Sequence, residues 1–250
     1  MTQLSKVFGW HAVSALLNQR PEQITSLSVL KGRMDLRMQQ LLQQAERHQI
    51  PVHWQSRQQL DESVAGRHQG VVAYTQSEQI DNILAEGELL PWLDKQANPL
   101  ILLLDGVTDP HNLGACLRSA DAAGVVAVIL PKDNAAGITD TVRKVACGAA
   151  ESVPIVTVVN LARTMKALQQ AGIWLVGTAG EAEQELYDVD LRGPIGLVMG
   201  AEAKGLRRLT REHCDYLARL PLLGQVSSLN VSVATGVCLF EAVRQRRVGH

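Results

Sequence analysis

The feature that most constrains the fold of this 250-residue chain is a series of short, almost uninterrupted apolar runs after residue 99. There are five, and they read LILLLD (100–105), VVAVIL (125–130), VPIVTVV (153–159), GIWLVG (172–177) and IGLVMG (195–200). Strands that are apolar on both faces are typical of a parallel sheet covered by helices on both sides. We therefore predict a doubly wound α/β domain over residues 99–250, with its ligand beyond the carboxyl ends of the strands.

Residues 1–75 indicate a separate, small α/β domain. A helical spacing of apolar residues runs through MDLRMQQLLQQAERH (34–48). The predicted strands are the apolar runs SLSVL (26–30), IPVHW (50–54) and GVVAY (70–74). In residues 76–98, acidic and polar residues interrupt a weak helical pattern, so we predict a linker there.

The net charge of −1 conceals an uneven distribution along the chain. Residues 1–75 carry eight Lys and Arg against five Asp and Glu, whereas residues 76–98 carry one against five. A mildly basic first domain permits phosphate contacts, although a solvated surface has the same composition. No apolar run reaches the roughly 20 residues of a membrane span, and the first residues lack the apolar segment of a signal peptide. We expect a cytoplasmic protein without a membrane partner.

The cysteines and histidines do not form a metal-binding pattern. The four cysteines are far apart, without a C-x-x-C pair, and we predict that all are reduced core thiols: Cys116, Cys147, Cys214 and Cys238. We expect no metal. The seven histidines are equally scattered. Of these, His11 and His68 are candidates for RNA contact, and the alternative is a structural role for both.

The segment after the first long apolar run combines turn and helix signals. It reads GVTDPHNLGACLRSADAAG, in which Asp109-Pro110 makes a turn and Asn112 stands where a helix N-cap is expected. In the plain interpretation Asn112 caps the helix and Arg118 is a surface residue. A strand-turn-helix boundary with Asn, Gly and Arg also suits a site that holds a phosphate or a ribose.

Two familiar nucleotide motifs fail on this chain. Gly200 and Gly205 have the spacing of a phosphate loop, but Leu206-Arg207 follows where Lys and Ser or Thr are required. None of the twenty glycines has another glycine two positions away, so the dinucleotide motif G-x-G-x-x-G is absent. The predicted sheet therefore binds its ligand without the usual glycine pattern.

Three short segments follow predicted strands, in the order NLGACLRSA, GAEAKGL and SSLNVSVATG. Together they resemble the three signature motifs of the SpoU (TrmH-type) branch of the SPOUT RNA methyltransferases. The opening G-x-HAV-x-ALL, the HQG at 68–70 and LDGVTDPHNLGACLRSADAAG extend the resemblance to nearly the whole chain. They resemble most the members that methylate a guanosine ribose 2'-OH in bacterial 23S rRNA.

The resemblance implies a fold, a cofactor and partners. The fold is a parallel-sheet domain with a deep trefoil knot, in which QVSSLNVSVATG (225–236) is a knot segment, preceded by a small RNA-binding domain. The cofactor is S-adenosylmethionine, and the partners are 23S rRNA and a second copy of the chain, through a helix from about Leu229 to Arg244. The implied cofactor-binding residues are Thr178, Ala179, Gly180, Gly200, Leu220 and Leu229.

The resemblance also implies a catalytic set. Arg118 is its centre, and Asn112, Glu202, Ser228 and Asn230 support it. In the family scheme Arg118 is the general base. Because guanidinium groups stay protonated at neutral pH, the alternative is that Arg118 is a cation that binds the target phosphate and polarises the hydroxyl. The pair Ala203-Lys204 departs from relatives that have a glycine and a polar residue there. We expect this departure to bear only on the flexibility of the loop and on an extra phosphate contact from Lys204.

Two other functions remain open at this level. One is a non-catalytic RNA-binding or ribosome-assembly module with the same fold, against which the intact Arg118, Glu202 and Asn230 argue. The other is a metabolic α/β enzyme that uses a different nucleotide. Calorimetry with S-adenosylmethionine, ATP and NAD separates the second from the methyltransferase hypothesis.

Overall fold

The computed structural model describes residues 5–64, 66–75, 83–201 and 205–248. It divides into two compact units, Met1–Asp81 and Asn82–His250.

Over its described residues the first unit contains a four-stranded mixed sheet in the order β1-β4-β2-β3. Its elements are β1 (Ser5–Phe8), α1 (Trp10–Gln19), β2 (Ile24–Leu30), α2 (Leu36–Arg47), β3 (Val52–Gln55), α3 (Arg57–Ser63) and β4 (Val71–Thr75). Strand β2 pairs parallel with β3 and antiparallel with β4. The three predicted strands and the predicted helix of this unit are confirmed.

Local chemistry explains where two of these helices begin. The Asp35 carboxylate accepts a hydrogen bond from the Met38 amide and caps α2. Ser56 and Gln59 form a reciprocal capping box at the start of α3. Helices α1 and α2 pack on one face of the sheet and α3 on the other, so both faces are buried.

Over its described residues the second unit contains an eight-stranded sheet in the order β10-β12-β9-β11-β6-β7-β8-β5. Its strands are β5 (Ile83–Leu84), β6 (Leu100–Asp105), β7 (Ala127–Pro131), β8 (Ile155–Val158), β9 (Trp174–Thr178), β10 (Gln184–Glu185), β11 (Ile195–Gly200) and β12 (Tyr216–Arg219). Its helices are α4 (Leu89–Leu93), α5 (Pro110–Ala122), α6 (Asp140–Ala146), α7 (Ala149–Ser152), α8 (Leu161–Gln170), α9 (Arg208–Glu212) and α10 (Val231–Val248). Neighbouring strands pair in parallel throughout this sheet.

Strand β6 shows why the apolar runs predicted this architecture. Leu102 and Leu104 lie in a core with α5, α6 and α10, whereas Ile101 and Leu103 lie in a second core with α4 and α8. Successive side chains of a strand point to opposite faces, so a strand with helices on both sides must be apolar at every position. The prediction of a doubly wound parallel sheet is confirmed.

The structure differs from the sequence prediction in residues 83–98, for which we expected a linker. Leu89 and Leu93 on α4 are buried in the second unit's core. Glu86, one of the acidic residues that disrupted the helical pattern, accepts a hydrogen bond from Arg163 at 2.9 Å. Glu86 therefore interrupts the apolar pattern at a position where it binds the domain's own chain. Residues 76–82, the other part of the predicted linker, lie outside the described residues.

The C-terminal helix closes the face of the sheet on which α5 lies. Cys238, Leu239 and Ala242 of α10 are fully buried and share a core with Cys116 and Leu117 of α5. The motif segment 225–236 thus passes from an exposed loop into this helix. The trefoil knot stays a prediction.

Candidate active site

Three of the predicted cofactor residues, Thr178, Gly200 and Leu220, lie at one edge of the second sheet. Strands β12, β9, β11 and β6 are consecutive neighbours, and parallel neighbours bring their carboxyl ends to the same edge. Thr178 ends β9 and is in register with Ala218 on β12, while Gly200 ends β11 in register with Asp105. Leu220 follows β12 directly and is half-buried against the core. Segments from distant parts of the sequence thus lie at a common edge.

Gly200 allows the following loop to fold back against its own strand. A Cβ atom at this position would overlap the backbone of Gly205 and Leu206. The turn is closed by the Gly205 amide, which donates to the Ala201 carbonyl at 2.8 Å. Only glycine fits such a close backbone approach. Glu202, predicted as a catalytic residue, lies outside the described residues.

Asp105 holds the far end of this loop, and sequence analysis missed it. Its side chain is fully buried at the end of β6, and it accepts a hydrogen bond from the Arg207 amide at 2.9 Å. The Arg207 guanidinium also pairs with this carboxylate. A buried carboxylate requires such partners. The available signal was an acid that ends an otherwise apolar run, LILLLD, which we interpreted only as a strand end.

The segment after β9 is held by hydrogen bonds at Thr178 and Ala179 and is exposed at Gly180. Thr178 Oγ1 donates to the Val198 carbonyl at 3.4 Å, and the Ala179 amide donates to the Ala218 carbonyl at 3.0 Å. Gly180 is exposed, with open space where a Cβ atom would stand. The neighbouring strands therefore hold this segment at its start, while Gly180 itself remains exposed.

Asn112 has a different structural role from the one the plain interpretation assigned to it. Asp109 is the N-cap of α5, and its carboxylate accepts from the His111 amide at 3.0 Å. The capping prediction for Asn112 is wrong, because Pro110 takes the first helical position and moves the cap upstream. Asn112 Oδ1 instead accepts a hydrogen bond from Asn230 Nδ2 at 3.1 Å. This bond joins two motifs that are 118 residues apart.

Asn230 has a second role at the start of α10. Its Oδ1 accepts from the amide of Ser232 at 3.0 Å and from the Ser232 hydroxyl at 2.6 Å. The helix consequently begins at Val231, whereas we had expected it to begin at about Leu229. Ser228 is exposed and Leu229 is half-buried in the loop before this cap. Asn230 thus links the loop, α10 and the start of α5.

Arg118 is exposed on α5, and its Nη1 donates to Cys147 Sγ at 3.5 Å. All four cysteines are free, which agrees with the prediction of reduced thiols, but Cys147 is exposed. The prediction that all four are core thiols is therefore wrong for Cys147, which follows the end of α6. For Cys214 and Cys238, burial raises the thiol pKa to about 12.

His68 is structural. It is 6% exposed, its Nδ1 accepts from the Gly70 amide at 2.9 Å, and its Nε2 lies 2.9 Å from Asp61 Oδ1. Both ring nitrogens are engaged, so the hypothesis of RNA contact is not supported for this histidine. His11 is exposed on α1.

In the parts of the chain that the structure describes, no helix combines the length and apolar character needed to cross a bilayer. Over the same ranges, no three His, Cys, Asp or Glu side chains cluster in a way that could hold a metal ion.

Two family models match the chain, one over each unit. Residues 99–240 match the SpoU rRNA methylase family, and residues 6–80 match the family described as RNA 2'-O ribose methyltransferase substrate binding. The chain belongs to the SpoU rRNA methylase family.

Individual relatives cover almost all of the chain. It is 59% identical over 248 residues to the 23S rRNA (guanosine-2'-O-)-methyltransferase RlmB of Pseudomonas putida, with 99% of both chains covered. It is 60% identical to the RlmB of Pseudomonas aeruginosa, with 98% of both chains covered. Among solved structures, it is similar to the SpoU methyltransferase AviRb of Streptomyces viridochromogenes in complex with AdoMet. That match has a TM-score of 0.75 and 27% identity, and covers 98% of this chain and 92% of the other.

Proposed function

We propose that this chain transfers a methyl group from S-adenosylmethionine to the ribose 2'-OH of a guanosine in 23S rRNA. The observation that carries the proposal is the hydrogen bond between Asn112 and Asn230, which joins two family motifs at the carboxyl edge of the sheet. The relatives named 23S rRNA (guanosine-2'-O-)-methyltransferase support it, since they are 59–60% identical over nearly the whole chain. The proposed place of action is the cytoplasm, where ribosomes are made.

The residues at the carboxyl edge fit S-adenosylmethionine. Gly200 leaves no room for a side chain, so its loop presents backbone, while Gly180 is exposed beside open space. Leu220 and Leu229 are half-buried and offer apolar surface for the adenine ring. Thr178 and Ala179 complete the proposed pocket. When bound, S-adenosylmethionine supplies an electrophilic methyl group.

The chain's residues must align the target hydroxyl and assist loss of its proton, because a ribose 2'-OH is a weak acid. We assign Arg118 an electrostatic role. A guanidinium group cannot accept a proton at neutral pH, but its planar set of N–H donors can hold a phosphate oxygen and polarise a nearby hydroxyl. The exposed position of Arg118 makes it accessible to RNA.

The two asparagines position the parts that act on the target. Their hydrogen bond fixes the start of α5, the helix of Arg118, against the start of α10. The exposed Ser228 lies just before α10, where it can contact the ribose. Glu202 is assigned from the family resemblance alone, as a residue that holds the loop and the target.

The first unit is proposed to recruit the RNA, and the second to bind the cofactor. Residues 6–80 match a substrate-binding family, and residues 1–75 carry an excess of basic side chains. Deleting residues 1–75 should weaken rRNA binding and leave the affinity for S-adenosylmethionine unchanged. Equal RNA affinity and methylation rate after the deletion would contradict this division.

We also propose a homodimer through the second unit. Val233 and Phe240 on α10 are 52% and 51% exposed, and they are seven residues apart, on the same face of the helix. Val237, between them, is half-buried. Burying this face between two copies removes apolar surface from water. Sedimentation should show a dimer at micromolar concentration, and a fully active monomer would contradict it.

Mapping of 2'-O-methylated nucleotides tests the proposed reaction. Mass spectrometry of 23S rRNA from cells that lack this chain should show the loss of one methylated guanosine. Expression of the unchanged chain should restore it, and expression of Arg118→Ala should not. An unchanged set of methylated guanosines in the deficient cells would refute the proposal.

A further inference from the structure

We infer that Cys147 is a positioning residue that orients the Arg118 side chain for methyl transfer. This inference deepens the proposed function and rests on it. It begins from the contact between Arg118 Nη1 and Cys147 Sγ, and from the backbone that presents this sulfur.

Close packing of two helices brings the cysteine to the arginine. Gly114 and Arg118 are four residues apart on α5, so they lie on the same face. A Cβ atom at Gly114 would stand 2.7 Å from Val145 Cβ and 2.8 Å from the Val142 carbonyl oxygen. The glycine therefore lets α6 lie directly against α5. Cys147, which follows α6, then meets Arg118 one turn beyond the glycine.

The backbone of Cys147 is unusual for its residue type. It has φ 53° and ψ 39°, the left-handed conformation that ends α6, and its amide donates to the Arg143 carbonyl. Glycine or asparagine normally takes this position, because a Cβ atom is unfavourable there. A non-glycine residue in a conformation that favours glycine is a reason to look for a function of its side chain.

The thiol has a donor role and an acceptor role in this arrangement. Its proton is directed to the Lys144 carbonyl oxygen, 3.6 Å from the sulfur, so the sulfur lone pairs remain for the Arg118 N–H. Both side chains are exposed, and an exposed arginine otherwise samples many rotamers. The contact restricts Arg118 while leaving its other N–H groups for the RNA.

Replacement by glycine separates this role from a structural one. In Cys147→Gly, the backbone takes its left-handed conformation without strain, so the thermal midpoint should stay the same or rise. Methyl transfer under single-turnover conditions with saturating rRNA should fall by about three- to tenfold, the range expected for one lost hydrogen bond. The affinity for S-adenosylmethionine should not change. Cys147→Ser keeps a polar acceptor and should recover part of the rate.

Gln49→Gly is the matched control. Gln49 is also a non-glycine residue of positive φ, 56°, and it is exposed in the first unit. This replacement relieves the same kind of backbone strain. At saturating rRNA, where a change in RNA affinity does not affect the rate, it should leave single-turnover methyl transfer unchanged. A purely structural role of Cys147 predicts instead that Cys147→Gly behaves like Gln49→Gly.

Two further measurements test the link to Arg118. In an Arg118→Ala background, Cys147→Gly should cause no additional loss of rate, because the group that it orients is gone. N-ethylmaleimide should slow the unchanged enzyme and not Cys147→Ser, since Cys147 is the exposed thiol of the four. If Cys147→Gly lowers the rate as much in the Arg118→Ala background as in the unchanged chain, or if Cys147→Gly has a normal rate, the inference is overturned and the proposed function still stands. Absence of methylation by the unchanged chain overturns the proposed function and this inference together.

Discussion

The two edges of the eight-stranded sheet are held by opposite kinds of contact. At the amino edge, the Arg246 guanidinium of α10 donates to four backbone carbonyls, those of Leu191, Gly193, Asn98 and Pro99, in the loops before β11 and β6. At the carboxyl edge, the buried Asp105 accepts from the backbone and side chain of Arg207. The Arg246 cation accepts no bond itself and satisfies the carbonyl groups of two loops, whereas the Asp105 carboxylate holds Arg207, which follows the turn closed by Gly205 and Ala201.

This difference indicates which edge is available for chemistry. The amino edge has a cavity of about 370 Å³, lined in part by Trp174, Gln184 and Tyr216, yet none of the three family motifs reaches it. At the carboxyl edge, NLGACLRSA lies on α5, GAEAKGL starts at the last residue of β11, and SSLNVSVATG runs from a loop into α10. We therefore propose that methyl transfer takes place at the carboxyl edge, where parallel sheets bind their ligands.

Arg118→Ala, a change at the carboxyl edge, should cause a larger loss of turnover than any change at the amino edge. We expect turnover to fall by about a hundredfold or more, because electrostatic assistance at the reacting group is lost, while cofactor affinity and stability stay nearly unchanged. Single-turnover methylation with saturating rRNA, beside calorimetry with S-adenosylmethionine, measures both quantities. A near-normal rate would remove Arg118 from the catalytic set.

Arg118→Lys sharpens the same test. Lysine keeps the positive charge but lacks the planar fork that can hold a phosphate oxygen and a hydroxyl together. We expect that lysine does not restore the rate. Full recovery would mean that charge alone suffices.

A pair of glycine replacements compares the edges directly. In Gly200→Ala, the new Cβ atom would overlap the returning loop, so the affinity for S-adenosylmethionine should fall by at least about tenfold, a disruption larger than one lost hydrogen bond. Gly193→Ala at the amino edge is the control, because nothing lies within 4 Å of its added Cβ atom. Isothermal calorimetry measures the affinity of both variants for S-adenosylmethionine. Equal affinities of the two variants would contradict the proposed cofactor pocket.

Arg246→Ala should have the smallest effect on methylation. Loss of its hydrogen bonds to four carbonyls should lower the free energy of unfolding by about 3 kcal/mol. Turnover of the folded variant should match that of the unchanged chain, because the proposed site lies at the opposite edge of the sheet. Urea unfolding gives the stability, and a rate defect in fully folded protein would show that the two edges are coupled.

Much of the sheet could be predicted because burial on both faces leaves an unmistakable apolar run, as in β6 and β11. Strand β12 was not predicted. Tyr216 is exposed and Arg219 only half-buried, so the segment lacks an uninterrupted apolar run. The cap of α5 was assigned to Asn112 although Pro110 pointed to Asp109. Both errors have local causes, and only the second could have been avoided from sequence alone.

The candidate site was less accessible to reasoning from sequence. Spacing along the chain does not reveal that Asn112 meets Asn230, because that contact depends on the strand order and on where α10 packs. Family resemblance brought the motifs together before the structure did. It did not indicate Asp105 or Cys147, which act through Arg207 and Arg118.

The hydrogen bond between Asn112 and Asn230 has a consequence for the order of folding. Contacts between residues so far apart in sequence form slowly, because a long segment of chain must be closed into a loop first. The pairing of β6 with β11, as between Leu100 and Ile195, also joins distant parts of the chain. The site therefore exists only once the long-range contacts of both the sheet and α10 have formed, and no short segment of the chain can carry it.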